Sequence, residues 1–243
     1  MIFIKRLSIP KWSAISVEDY QYINEINESD LSEVDKVLFI MTHLAGSTEA
    51  EMNKISVKTF LRLEKQLTKR FEMMKQLGKE VHNIGMFEFN YDIQSVTLGQ
   101  YIEVQHFAKE GHIKNIHLIA ASICKNGEMN HMQRADNILK LPFLKVLWNV
   151  AKFLDEFKQL NERYKGLFGI DDTEEDEYKP VTNSFNERYG WIYSAKKVAE
   201  FEGVSLEQSF DLPIIQALND LSYLKALQEY ENEINKRQLS EFK

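Results

Sequence analysis

Residues 142–160 read PFLKVLWNVAKFLDEFKQL. Phe143, Val146, Leu147, Val150, Phe153, Leu154, Phe157 and Leu160 recur at threes and fours, the spacing that puts apolar side chains on one face of an α-helix. Pro142 stands at the entry, where a missing N–H costs no intrahelical bond. About five turns of helix follow from this pattern. They set the expectation for the chain, an α+β protein that is mainly α-helical.

Upstream, the pattern repeats with clear start signals. Ser32 caps a segment in which Val34, Val37, Leu38, Met41 and Leu44 form an apolar face before Ala45-Gly46 stops it. Ser47 or Thr48 caps a short helix carrying Glu49 and Glu51 at its positive end, and Ser56 caps one with Phe60, Leu61, Leu63, Leu67 and Phe71. Thr97 with Gln100 makes a capping box for a helix bearing Tyr101, Val104 and Phe107. A further helix is expected from His112 to Ile123, stopped by Asn126-Gly127. Two segments read as strands. Ile2, Phe3, Ile4, Leu7 and Ile9 suit a first strand ended by Pro10, and the run from Met86 to Tyr91 alternates with period two.

Downstream, residues 169–184 carry the run Asp171-Asp172-Thr173-Glu174-Glu175-Asp176-Glu177, a composition shift that reads as a linker or long surface loop. The expected division is therefore a helical N-terminal domain with short strands over 1–168, the acidic loop, and a helical module over 185–243. In that module Trp191, Ala195, Val198 and Ala199 share a helix, Ser205 caps a turn with Leu206 and Phe210, and Asp211 and Pro213 open a final helix with Ile214, Leu218, Leu221, Leu224 and Leu227. No internal repeat shows in the letters.

Composition removes several classes. With 44% apolar and 28% charged residues the chain is an ordinary folded sequence, neither disordered throughout nor fibrous. The net charge of −7 has the wrong sign for wrapping phosphates, so direct nucleic-acid binding is not expected. Six acids lie in the 171–177 run, and removing six from −7 leaves −1 for the rest. No apolar stretch approaches the roughly 20 residues of a membrane span. The N-terminus lacks the long apolar core and cleavage site of a signal peptide, so synthesis in the cytoplasm is expected. One cysteine, Cys124, excludes an intramolecular disulfide and a paired-cysteine zinc site.

Candidate chemistry is sparse. His112 and His117 are five apart and His106 lies six before His112, whereas two helical metal ligands need separations of three or four. No phosphate-cradling glycine loop and no G-x-S-x-G is present. Acid pairs such as Glu200 with Glu202 read as solvated charge, as does the stripe Lys65, Lys69, Arg70 and Lys75, which Glu64 and Glu72 interrupt. No cofactor, metal or catalytic residue is therefore expected. The aromatics Trp191, Tyr193, Phe201 and Tyr223 are the candidate protein-contact residues, since aromatics anchor interfaces; core packing is the alternative for them.

Two stretches carry a family resemblance. Val96-Thr97-Leu98-Gly99-Gln100-Tyr101-Ile102-Glu103-Val104-Gln105-His106-Phe107, followed by Ile116 to Ala121, resembles a T-x-G-Q/E-Y-I-D-L…N-L-H…A pattern of tail-assembly and other morphogenesis proteins of tailed bacteriophages. Trp191 to Val204, with Leu206, Pro213 to Ile215 and Leu218 to Leu224, is similar to the C-terminal helical segment of such proteins, including those of phages infecting Bacteroidetes. Glu103 replaces the aspartate of the pattern, and the acidic loop is additional. The resemblance implies a non-enzymatic virion assembly protein that binds other phage virion proteins, either as a tail-assembly chaperone or as a component kept in the head-to-tail region or as cargo. It further implies a homo-oligomer, found in the host cytoplasm during assembly or in the virion. A soluble enzyme without motifs and a host helical adaptor are the alternatives.

Overall fold

The computed structural model describes residues 7–74, 81–89, 92–125, 128–168 and 183–241. It is mainly helical, with a small antiparallel sheet, as expected. A 3-10 turn over Trp12–Ala14 leads into α1 (Val17–Glu28), α2 (Glu33–Leu44), α3 (Glu49–Met52) and α4 (Val57–Met74). Then come β1 (Asn83–Ile84), β2 (Phe87–Phe89), a second 3-10 turn over Ile93–Ser95, α5 (Leu98–Lys109), α6 (Ile116–Ile123) and β3 (Cys124–Lys125). The chain continues through α7 (His131–Ile138), α8 (Phe143–Arg163), a 3-10 turn over Lys165–Phe168, α9 (Asn183–Glu202), α10 (Leu206–Ser209) and α11 (Ile214–Glu241).

The long helix over 143–163 confirms the periodicity, and the caps at Ser32, Thr48, Thr97 and Ser205 form as read. Two local expectations need correction. Leu7 to Pro10 is not a strand, and residues 1–6 lie outside the described residues. His112 to Asn115 is a turn, because Gly111 takes φ +122° and Asn115 Nδ2 donates to the Phe107 carbonyl (3.0 Å) at the end of α5. Cys124-Lys125 leaves α6 to pair with β2; Asn126-Gly127 and the acidic run are outside the described residues. The sheet order is β1-β2-β3, with Ile84 opposite Phe87 and Phe89 opposite Cys124. Gly85 and Met86 make the two-residue hairpin between β1 and β2, and Gly85 supplies the positive φ (+62°) that such a turn requires.

By packing, the chain divides into a first unit of 1–90 with 106–152 and a second of 91–105 with 153–243. Within the second unit, residues 96–99 hydrogen-bond with 210–214. In the first unit Val17, Met41, Ile119, Ile138, Phe143 and Val146 are fully buried, and Tyr20 stacks on Phe143 with ring centroids 3.7 Å apart. In the second, Leu98, Tyr101, Leu160, Ala195, Val198, Ile214 and Leu218 are fully buried. Burying each large apolar side chain stabilises by about 1.5–3 kcal/mol, so these two clusters hold their units together.

Both units contain the same motif. In the first, Val17 and Glu18 donate to the carbonyls of Leu141 and Leu139 (both 3.0 Å), and Phe143 donates back to Ile15 (2.9 Å). In the second, Leu98 and Gly99 donate to Leu212 and Phe210 (both 2.9 Å), and Ile214 donates back to Val96 (2.8 Å). Each motif is an antiparallel bridge, Ser16 to Pro142 and Thr97 to Pro213, entered by a 3-10 turn and left by a 12-residue helix with a capping box. The proline strand likewise follows a short boxed helix, capped by Asn130 with Gln133 or Ser205 with Gln208, and opens a long helix. An internal repeat is therefore present, contrary to the reading of the letters. Its halves are interleaved along the chain, and residues 29–91 separate the first two.

Candidate protein-binding surface

The four aromatic candidates fall in the second unit, where α9 and α11 place them differently. Trp191 turns inward. Its indole meets Tyr101 edge-on at 5.3 Å, and Tyr101 stacks on Phe157 at 4.7 Å. The Tyr101 hydroxyl donates to Asn161 Oδ1 and accepts from Gln105 Nε2 (3.0 Å). Burial holds the Tyr101 phenol well above its ordinary pKa, so it remains a neutral donor. Trp191 thus sits where core packing places it, on the same helical face as Ala195 and Val198.

Tyr193, Phe201 and Tyr223 face outward, 53%, 47% and 55% exposed. Phe201 and Tyr223 are brought together across α9 and α11, with ring centroids 5.6 Å apart. Tyr193 lies two turns away on α9, about 12 Å along the axis. It lines a shallow pocket of ≈ 230 Å³ with Tyr189, Ile192 and Lys196. Lys197 Nζ stands 5.8 Å from the Tyr193 ring centroid and 2.8 Å from Glu200 Oε2. One surface on α9 therefore combines two tyrosines and an isoleucine, the aromatic content enriched at contact surfaces, with two lysines beside them.

Sequence reading missed the second apolar surface. Tyr223, Leu227, Tyr230 and Ile234 run along α11 at spacings of four, three and four. Leu227 is 37% and Tyr230 62% exposed, and Ile234 is half-buried. Every residue from Gln228 to Gln238 except Ile234 is exposed. The stripe was legible as a continuation of the period that starts at Ile214, but the run of glutamates between its members masks it.

Beside Tyr223 lies a pair of carboxyl groups. Gln216 Nε2 donates to Glu202 Oε1 (2.9 Å), and Asp220 leans on Glu202 with its Oδ2 buried and without a hydrogen-bond partner. Burial first, then the neighbouring Glu202 carboxyl, push the Asp220 carboxyl up to about 6.

The first unit offers polar clusters of a structural kind. His131 Nε2 lies 3.1 Å from Ser122 Oγ and 3.2 Å from the Leu118 carbonyl. A carbonyl only accepts, so Nε2 carries the proton and cannot take one from Ser122, which is 1% exposed and donates to Leu118. His117 Nδ1 meets Gln21 Nε2 at 2.9 Å, which ties α6 to α1. Among the described residues, no three His, Cys, Asp or Glu side chains converge to hold a metal ion, and no helix is long and apolar enough to cross a membrane. Lys65 and Lys69 are exposed on α4 with Lys58 and Arg62, Arg70 is half-buried, and Lys75 lies outside the described residues.

The chain matches no family model, no curated protein and no solved structure.

Proposed function

We propose that this chain is a non-enzymatic assembly protein of a tailed bacteriophage that binds other virion proteins, as a tail-assembly factor or as a component retained in the particle. The outward aromatic surface of α9 carries the reading: Tyr189, Ile192 and Tyr193 with Lys196. Exposed aromatics that can be desolvated at the centre of an interface are the residues that dominate binding energy. The resemblance of residues 96–107 supplies the phage context. In the fold, residues 96–99 form the first half of the second unit's motif, with Tyr101 buried just after them.

Quantification of the protein by mass spectrometry in intact particles of the source phage, against portal and tail proteins, tests the role. Stoichiometric presence means a retained structural or cargo component. Abundance in infected lysate with absence from particles means a chaperone, and absence from both removes the phage reading. Pull-down of virion proteins with wild-type chain and with Tyr193→Ala tests the surface, with loss of capture from the variant as the expected result.

A further inference from the structure

The outer half of α11 is a helix without a packed neighbour among the described residues, yet it carries a regular apolar stripe. An isolated helix of this length is marginal in water, and the ion pairs along it, Lys225 with Glu229 (3.9 Å) and Glu233 with Arg237 (4.0 Å), are exposed and weak. The spacing of Tyr223, Leu227, Tyr230 and Ile234 is that of alternating d and a positions in a coiled-coil seam. Extended by one layer at each end, the same seam takes Asp220 at an a position and Arg237 at a d position.

We infer that α11 pairs with the same helix of a second copy, antiparallel and centred between Gln228 and Glu229. In that register each a position meets a d position of the other copy. Leu227 meets Tyr230, Ile234 meets Tyr223, and Asp220 meets Arg237. All six layers are complementary, four apolar and two oppositely charged. A parallel pairing in register would set Asp220 against Asp220 and Arg237 against Arg237, which is repulsive. Glu231 and Glu233 fall opposite Ala226 and Leu224, so no like charges oppose in the antiparallel arrangement.

Two further observations single out a second copy as the occupant. Asp220 and Glu202 form a carboxyl pair, and Arg237 is 82% exposed on its side chain. The guanidinium of one copy supplies the cation that the other copy's pair lacks. The area is adequate as well. Half-exposed Phe201, Tyr223 and Tyr230, with Leu227 and the stems of flanking side chains, give about 500 Å² per copy, or ~1,000 Å² in all, the lower bound for a specific interface.

This pairing goes beyond the assembly role and stands whether or not the protein belongs to a particle. Sedimentation equilibrium of the full chain is expected to give a dimer, and Tyr230→Glu a monomer that keeps its packed helices, loses helicity in the outer half of α11 and melts below the dimer. Arg237→Glu weakens the dimer at least tenfold, and the double change Arg237→Glu with Asp220→Lys restores it. Cysteine pairing fixes the register: Tyr223→Cys protein mixed with Ile234→Cys protein gives an oxidised heterodimer, and neither variant cross-links to itself. A monomeric wild-type chain at about 100 μM, weaker than a specific complex should be, overturns the pairing. So does self-cross-linking of Tyr223→Cys, or an oligomer indifferent to Tyr230→Glu. Particle composition is a separate readout, so failure of the dimer leaves the assembly reading standing.

Discussion

Tyr20 and Tyr101 occupy the same position in two copies of one motif, each four residues after the residue that bridges to a proline. Their surroundings differ. Tyr20 lies flat on Phe143, the residue after its proline, whereas Tyr101 is sandwiched by Phe157 and Trp191 from two other helices. One backbone arrangement thus serves two different cores.

The caps should behave as equivalents. Ser16→Ala and Thr97→Ala each remove the side-chain acceptor for the N3 amide, at 3.0 and 3.2 Å, and leave the reciprocal bond from the cap's own backbone N–H to Asp19 or Gln100 in place. Each is expected to cost about 1 kcal/mol. Urea unfolding of the two single variants and the double variant checks this, with additive losses expected because the sites share no partner.

Trp191→Ala and Tyr193→Ala separate packing from contact. Removing the indole from Tyr101 should cost about 2–3 kcal/mol, while truncating exposed Tyr193 should stay within about 0.5 kcal/mol. Thermal melts read the difference. A large loss from Tyr193→Ala would place it in the core and withdraw it from the contact surface.

The two units should respond to acid in opposite directions. Burial holds His117 below its ordinary 6.5, with Asp136 opposing and His131 reinforcing, so the unfolded chain takes up the proton first. The first unit therefore loses stability as pH falls through 6.5. Asp220 titrates near 6 when folded and 3.8 as the ordinary value, so the folded state holds that proton first. The second unit gains stability as pH falls from 6 towards 3.8. Amide hydrogen exchange against pH in the monomeric Tyr230→Glu background resolves the units. Asp220→Asn should raise the stability of the second unit at pH 7 and remove its acid-side gain.

Cys124 offers a clock for opening of the first unit. The thiol is 3% exposed, and burial pushes it up to about 11, so it is neutral and covered at pH 8. Iodoacetamide should modify it slowly in the native chain and rapidly in denaturant. Ile116→Ala, which opens a cavity in the adjoining helix, should accelerate the native reaction.

Sequence carried the helices well where a polar cap preceded an apolar period, as at Thr48, Thr97 and Ser205. It failed at α1 and α7, whose boxes use Asp19 and Gln133 and whose apolar faces are interrupted by Glu18 and Arg134. The duplication stayed hidden because the repeated feature is a set of backbone hydrogen bonds, which Ser or Thr, Asp or Gln and Glu or Gly satisfy alike. Gly99 shows the local tuning. A Cβ there would come within 3.2 Å of the Phe210 carbonyl, while its counterpart Glu18 is accommodated opposite Leu139. At the candidate surface, the residue types were legible, but only packing tells that Trp191 faces Tyr101 and that Phe201 meets Tyr223.

The interleaved motif also orders events during synthesis. Residues 96–99 leave the ribosome more than a hundred residues before the carbonyls of Phe210 and Leu212 that they bond. At about 5–20 residues per second that delay lasts about 5–20 s. Leu139 and Leu141 emerge within it and offer the same pattern of acceptors to either half-motif. The first motif is therefore complete, with Tyr20 able to stack on Phe143, while the second still waits for its acceptors.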